Sequence, residues 1–525
     1  MMQATLPVAA PAAEYFWPLL PEIVLAAWAM LVLVVDVALK GDRAGPSRPV
    51  VGWLSLAGLL AAAVANAFLL GPPVAVDGRA AMVAMDPFRV FANFVILGSA
   101  ALTLLMSAGY LDRRGLNRGE YHALVLFAAL GMMLMAGARD LIMVFIALEL
   151  MSVAVYVLVG FDRLDARSAE ASLKYFLLGA FSSAFFLFGI ALTWGATGSS
   201  DVPTIGSLVL ARAVPMTPML LAGMGLLMVG FGFKVAAVPF HMWTPDAYDG
   251  APTPITSLMS TGVKAAAFAA FIRVFLVGFQ GAYDQWVQIG AAVAMATMVG
   301  ANLIAMTQGS VKRMLAYSSI AHAGYLLVAL LAIRGGEGAA AFLFYLLVYT
   351  LMTAGAFAVV IANSREDGEE RVALEDWQGF AAEKPALAAV FSVFLLSLAG
   401  FPLTAGFLGK LYIIRAAVAN GLTMLAVVLV LTSLVSYFYY LRIVVVMYMR
   451  SPRAAGEHHA ARLSRPAWVA AGVAAVLVVA LFFAGNLPMR WARTSAGSLW
   501  ATSGQTTTPA APSPTSPTAP VARAP

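Results

Sequence analysis

The sequence predicts an all-α polytopic membrane protein of about fourteen transmembrane helices, including two inverted five-helix repeats that each contain a broken helix. Three observations carry this. Of the 525 residues, 62% are hydrophobic and 11% are charged, whereas a soluble domain carries about 25% charged residues. The apolar stretches are about 20 residues long, enough for a helix to cross hydrocarbon and too long for barrel strands. The basic residues alternate between successive loops. Backbone groups inside a bilayer must pair internally, which leaves only helices or closed barrels.

Taken in order, the predicted spans are 18–39, 50–70, 86–109, 121–137, 140–160, 170–194, 217–240, 253–279, 286–307, 311–333, 339–363, 385–419, 421–448 and 467–487. The N-terminal MMQATLPVAAPAAEYF has no basic region before its apolar run, so the first span is expected to be retained rather than cleaved as a signal peptide. Span 217–240 breaks at Pro239. Span 385–419 is too long for one straight crossing and contains Gly400, Pro402 and Gly406, so it reads as a second broken helix.

Loop charges test the count. Loops after odd-numbered spans hold Lys40, Arg43 and Arg48; Arg113, Arg114 and Arg118; Arg163 and Arg167; Lys312 and Arg313; Arg365, Arg371 and Lys384; and Arg450, Arg453, Arg462 and Arg465. Loops after even-numbered spans hold only Arg79, Arg139, Arg212 and Arg334. This asymmetry predicts cytoplasmic odd loops and both termini outside the cytoplasm. A missed span would scramble the pattern downstream.

The predicted organisation is a three-helix segment (1–120), a first repeat (121–280), a second repeat (281–450), a last span (451–490) and a disordered Thr-, Pro- and Ala-rich tail (491–525). The broken helix is the fourth of five in each repeat. An odd number of spans makes the second unit enter from the opposite side, and broken helices at matching positions point to an ion path. The charged loop 363–384 reads as a solvated connector or a docking surface for a neighbour.

The central stretch is FGFKVAAVPFHMWTPDAYDGAPTP, residues 231–254. Lys234 precedes the break and Lys264 lies in the next span; Lys410 follows the second break. Ionisable groups inside a membrane are costly and mark ion routes. Glu149 sits mid-span in LIMVFIALELMSVAVYVL and is expected to pair with Lys234, each offsetting the other's desolvation. The competing reading is a static salt bridge pinning two helices, which leaves Lys264 and Lys410 unexplained. Lys174 lies near the cytoplasmic end of its span. His322, in YSSIAHAGY, is a candidate relay because imidazole titrates near neutrality. His241, just after the break, is either a proton-uptake group or a helix cap. Ser182, Ser183, Thr256, Ser257, Ser260, Thr261, Asn302, Thr307, Ser318 and Ser319 are polar fillers, more often satisfied by their own backbone or a packing partner than used as relays.

Other chemistry is excluded. There is no cysteine, hence no thiolate or iron–sulfur ligation. The five histidines are scattered apart from His458–His459, so no metal site is expected. No phosphate-binding loop or dinucleotide fingerprint is present, and the net charge of +6 belongs to topology rather than to nucleic acid.

The stretch GFK followed by PFHMWTPDAYDGAPTP resembles the signature of the antiporter-like membrane subunits of respiratory complex I and of related multisubunit cation/proton antiporters. KYFLLGAFSSAFFLFG, VKRMLAYSSIAHAGY and LAGFPLTAGFLGK are similar to further family blocks, so the resemblance covers spans 4 to 13. Within the family the wording is nearest the N-type branch, in KYFLLGAFSSAFFLFG, in YDGAPTP and in a chain that ends soon after span 14 without a lateral helix. The resemblance implies that Glu149 is the fifth-helix glutamate, Lys234 the lysine of the broken seventh helix and Lys264 the connecting eighth-helix lysine. It makes Lys410 the basic residue of the broken twelfth helix, where the M-type branch has glutamate; His322 is a weaker match. It further implies proton translocation driven by quinone reduction elsewhere. NADH, FMN, iron–sulfur clusters and quinone would sit in partner subunits, and an M-type subunit and small membrane subunits would be neighbours in a bacterial inner membrane. The alternatives are a subunit of a stand-alone cation/proton antiporter or membrane-bound hydrogenase, and a purely structural scaffold, for which neutralising Lys234 would leave transport intact.

Overall fold

The computed structural model describes residues 12–40, 49–70, 79–334, 336–364, 370–451 and 464–501. The spans are α1 (Leu20–Lys40), α2 (Pro49–Phe68), α3 (Pro87–Ser107), α4 (Gly119–Gly137), α5 (Leu141–Val159) and α6 (Ala166–Thr197). Next comes a broken helix, α7a (Pro218–Val235) and α7b (Trp243–Gly250). There follow α8 (Thr253–Gly278), α9 (Tyr283–Ala305), α10 (Val311–Leu331) and α11 (Glu337–Ala362). A second broken helix is α12a (Pro385–Ala399) and α12b (Ala405–Ala419); α13 (Thr423–Met449), α14 (Arg465–Phe483) and α15 (Asn486–Ala501) complete the chain. Among the described residues, 13 helices are long and apolar enough to cross a membrane. The remaining expected crossing, 385–419, is the pair α12a and α12b, each 15 residues. Isolated bridges, such as Val83 with Ala138, are the only β pairing among the described residues.

Helix starts follow local chemistry. Asp86, Asp140, Asp165, Thr217, Ser310 and Ser464 each accept a hydrogen bond from a first-turn backbone N–H, satisfying a donor that the helix leaves open. Prolines occupy the first turn of α3, α7a, α12a and α14, where their missing N–H costs nothing. The breaks are equally local. α7a ends on Ala236 at φ 62°, and α12a ends on Gly400 at φ 88°. Both leave the right-handed helical region, so the ladder cannot continue.

α8, α10 and α11 form the centre. Burial inside the chain covers 100%, 94% and 89% of their most apolar windows, against 28% for α1 and for α14 at the rim. Two π-helical turns, Met259–Val263 and Val274–Gly278, interrupt α8.

Two expectations are corrected. The disordered tail does not begin at 491: α15 runs to Ala501, with Met489, Ala492, Ala496 and Leu499 buried. Its Trp491 ring lies 4.4 Å from that of Phe91. Its apolar side chains fall on one helical face, and that periodicity outweighs the Thr- and Ser-rich composition. The described parts of loop 363–384 are solvated only in part: Glu375, Ala382 and Glu383 are exposed, whereas Leu374, Gly379 and Phe380 are buried. They fold back onto their own chain, with Trp377 fully buried against Phe391 at 4.9 Å. The N-terminal 11 residues, Arg43, Arg48, Arg365, Arg453, Arg462, His458–His459 and the tail past Ala501 lie outside the described residues.

Candidate functional site

Four lysines are buried; three of them, Lys234 at 2%, Lys264 at 1% and Lys410 at 5% exposure, have no carboxylate within salt-bridge distance among the described residues, and the fourth is Lys312 at 1%. Lys234 is in the last turn of α7a. Its Nζ donates to Ser152 Oγ at 2.8 Å and to Tyr175 OH at 3.3 Å. It also lies over the rings of Tyr156 and Tyr175, 5.7 and 5.4 Å from their centroids. The expected direct pair with Glu149 is not formed. Glu149 is half-buried and accepts a hydrogen bond from Ser183. Ser152, three residues further along α5, takes the ammonium instead, while its own hydroxyl donates to the Leu148 carbonyl.

Lys264 follows the first π-turn of α8. Its Nζ donates to the Ser319 carbonyl and to Ser319 Oγ, both at 2.6 Å. Tyr349 OH donates to the same Ser319 Oγ at 2.9 Å. One turn along α10, His322 Nδ1 is 2.5 Å from Tyr345 OH and Nε2 is 3.3 Å from Tyr440 OH. Tyr440 also shares a short hydrogen bond with Ser318. Lys410 Nζ donates to the Ala399 carbonyl at 2.9 Å and lies 4.9 Å from the Tyr325 ring centroid. That carbonyl belongs to the end of α12a, where the helix dipole favours a cation.

The structure therefore joins Lys264, Ser319 and His322 on adjoining faces of α8 and α10, with Lys410 beyond. It does not bring two of the sequence candidates into this interior. Lys174 is 44% exposed and pairs with Glu170 at 2.7 Å and Asp246 at 2.9 Å. Asp246 also pairs with Arg313 at 3.0 Å, so Lys174 belongs to a surface ion network beside α7b. His241 is half-buried and caps nothing: Met242 is the N-cap residue of α7b, without a side-chain bond.

Sequence reasoning missed the tyrosines of this interior. Tyr175, Tyr345, Tyr349 and Tyr440 are fully buried or nearly so. Their sequence signal was a run of aromatic residues at helical spacing, which ordinary packing also produces. It also missed buried charges away from the lysine line. Arg89 pairs with Glu22 at 2.7 Å, Arg273 with Asp86 at 2.6 Å, and Lys312 with Glu370 at 2.8 Å. Glu370 accepts from Thr253 Oγ1 at 2.6 Å and Tyr110 OH at 2.7 Å as well. Burial raises the Glu370 carboxyl, but the Lys312 charge and these hydrogen bonds outweigh it and hold the pKa down at about 2. Among the described residues no group of three or more His, Cys, Asp or Glu side chains is placed to hold a metal.

The model of the NADH:quinone oxidoreductase/Mrp antiporter transmembrane family matches residues 138–436. Subunit N 1 of NADH-quinone oxidoreductase from Sorangium cellulosum is 47% identical, over 84% of this chain and 89% of the relative. Subunit N from Trichlorobacter lovleyi is 45% identical, over 82% of this chain and 87% of the relative. The chain belongs to the NADH-quinone oxidoreductase subunit N family. It is thus a multi-pass, antiporter-like membrane-arm subunit. A chain of respiratory complex I from Thermus thermophilus with bound Aureothin superposes with TM-score 0.74 at 36% identity, covering 90% of this chain and 98% of that one. A chain of the Mrp complex from Dietzia sp. superposes with TM-score 0.77 over 93% of this chain and 98% of that one, at 23% identity, which is a likeness of fold alone. The family-matched region contains every lysine and histidine placed above. It leaves out α1 to α4, and with them Glu22, Asp86 and Arg89.

Proposed function

We propose that this subunit N carries protons across part of the membrane arm of a bacterial NADH:quinone oxidoreductase, using Glu149, Lys234, Lys264, His322 and Lys410. The observation that carries the reading is the bonding of three of the buried lysines, Lys234, Lys264 and Lys410. Each is held by hydroxyls, carbonyls or aromatic rings and none by a carboxylate within salt-bridge distance. Hydroxyls donate and accept, so they can solvate an ammonium and also pass a proton on. Lys174, paired with Asp246 beside α7b, is assigned to proton collection at the surface, and His241 to uptake at the break. The energy comes from quinone reduction in partner subunits that hold NADH, FMN, iron–sulfur clusters and quinone.

The two five-helix units, 121–280 and 281–450, are read as inverted repeats, each bringing one lysine to its broken helix. The basic loops after odd-numbered spans support an orientation with both termini outside the cytoplasm. The neighbours in this reading are an M-type antiporter-like subunit and small membrane subunits in the inner membrane. Identities of 45–47% to subunit N favour the redox complex over a stand-alone antiporter.

The test is proton pumping coupled to NADH oxidation in membranes carrying Lys234→Ala, with assembly checked on a native gel. Assembled complex in which turnover and pumping collapse together supports the reading. Both surviving at wild-type level would sink it.

A further inference from the structure

Helix α8 is built in four pieces, beginning with a regular turn and a half at Thr253–Leu258. Its middle ten residues, Lys264–Arg273, are regular α-helix, and the turns on either side are π-helical. A π-turn holds an extra residue, so moving one such turn by a single position turns the residue it passes by about 100°. A segment bracketed by two π-turns has its rotation set by what grips its ends.

Both ends carry a buried cation. At one end Lys264 reaches Ser319. At the other, Arg273 is 2% exposed and grips Asp86 with two parallel bonds, Nη1 to Oδ2 at 2.6 Å and Nη2 to Oδ1 at 3.0 Å. Its guanidinium also lies over the Phe88 ring, 5.3 Å from the centroid. A two-point Arg–carboxylate pair fixes direction as well as distance. Asp86 is itself immobilised. It caps α3 through the Arg89 N–H at 2.8 Å, and Arg89 pairs with Glu22 of α1. The Arg89 side chain lies against Gly137 of α4, where a Cβ would come within 2.5 Å of Nε. Three helices, α1, α3 and α4, therefore converge on the grip, and all three lie outside the family-matched residues 138–436.

We propose that Arg273 is a positioning residue for Lys264: its clamp on Asp86 sets the rotation of the Lys264–Arg273 segment and so aims the Lys264 ammonium at Ser319. The two cations are nine residues apart along the helix, roughly 13 Å, so the influence travels through the rigid segment and not by contact. The proposal rests on the assignment of Lys264 to the proton path.

The experiment compares protons pumped per NADH in membranes carrying Lys264→Ala, Arg273→Gln and the double substitution, with assembly followed on native gels. Arg273→Gln is expected to assemble and to lower the ratio about two- to thirtyfold, with the double variant no worse than Lys264→Ala alone. That non-additivity is the signature of two residues acting as one unit. Arg273→Lys keeps the charge but loses the fork, and is expected to assemble with a partial deficit. Full pumping by Arg273→Gln, or losses that multiply in the double variant, would overturn the clamp. So would failure of both Arg273 variants to assemble, which makes the contact a structural fastening only. Wild-type pumping by Lys264→Ala would instead remove Lys264 from the path.

Discussion

At the scale of single residues, the interior separates cations with carboxylate partners from cations without them. Lys312 has one. Its Nζ donates to Glu370 and to the Ala251 carbonyl at 2.6 Å, and Glu370 gathers α8, α10 and the chain after α3 around one carboxylate. Glu370→Gln leaves the Lys312 charge buried without its partner, a loss of about 3–5 kcal/mol. The expected outcome is less assembled complex after mild heating on a native gel. The same group gives a pH signature. Its folded pKa of about 2 lies below the ordinary 4.5, so its contribution is complete above about 4.5 and is lost as the pH falls through about 2. Glu370→Gln therefore loses most stability at neutral pH and converges on the parent at strong acidity, as thermal melting across pH would read. These charges were not legible in the sequence, because nothing local to a residue such as Glu370, in a charged loop, or Asp86, at a span end, shows what it will be buried against. Arg273 and Asp86 are 187 residues apart and Lys312 and Glu370 are 58 apart. Only packing makes them neighbours. Glu149 and Lys234 were legible as charges within the spans, yet their direct pairing was not formed: Glu149 bonds Ser183 and Lys234 bonds Ser152 and Tyr175.

At the scale of elements, the two broken helices were legible because prolines and glycines announce them. How the breaks hold their lysines was not. Gly400 takes φ 88°, and a Cβ there would approach Lys410 Cδ to 2.9 Å. Gly400→Ala combines a left-handed backbone with that contact, a cost of about 1–2 kcal/mol for the backbone alone. It is expected to lower the melting temperature of the complex and to lower pumping, since the strain falls on the lysine itself. Unchanged melting and pumping would show that the break does not constrain Lys410. The π-turns of α8 had no sequence signal at all: MSTGV and VFLVG are ordinary apolar helix, and their geometry answers to the groups gripped at each end.

At the scale of the whole molecule, α8, α10 and α11 are enclosed by the other spans, and α15 closes against α3 and α11. Arg493 Nε of α15 meets Glu337 at 3.1 Å, and the Phe88 N–H donates to Ser498 Oγ at 3.3 Å. Truncation after Gly485 removes this helix and uncovers Phe91 and Phe94, both packed on Trp491. It is expected to reduce the assembled complex on native gels, whereas truncation after Ala501 leaves it at the parental level. Equal assembly by the two truncations would make α15 dispensable. This helix was misread because a short amphipathic segment in a Thr-, Ser- and Ala-rich context carries little signal until the surface that buries its apolar face is known.

The sequence by itself determined the class of the molecule, the crossings, the breaks and three of the four deep lysines, Lys234, Lys264 and Lys410. Those follow from local terms: the hydrophobicity of about 20 consecutive residues, the cost of charge in hydrocarbon, and the backbone limits of proline and glycine. Tertiary structure alone decided what each lysine touches, that Lys174 stays at the surface, and that Arg273 is clamped to Asp86. Partner choice depends on helix rotation and depth, and these are set by packing between residues distant in the chain.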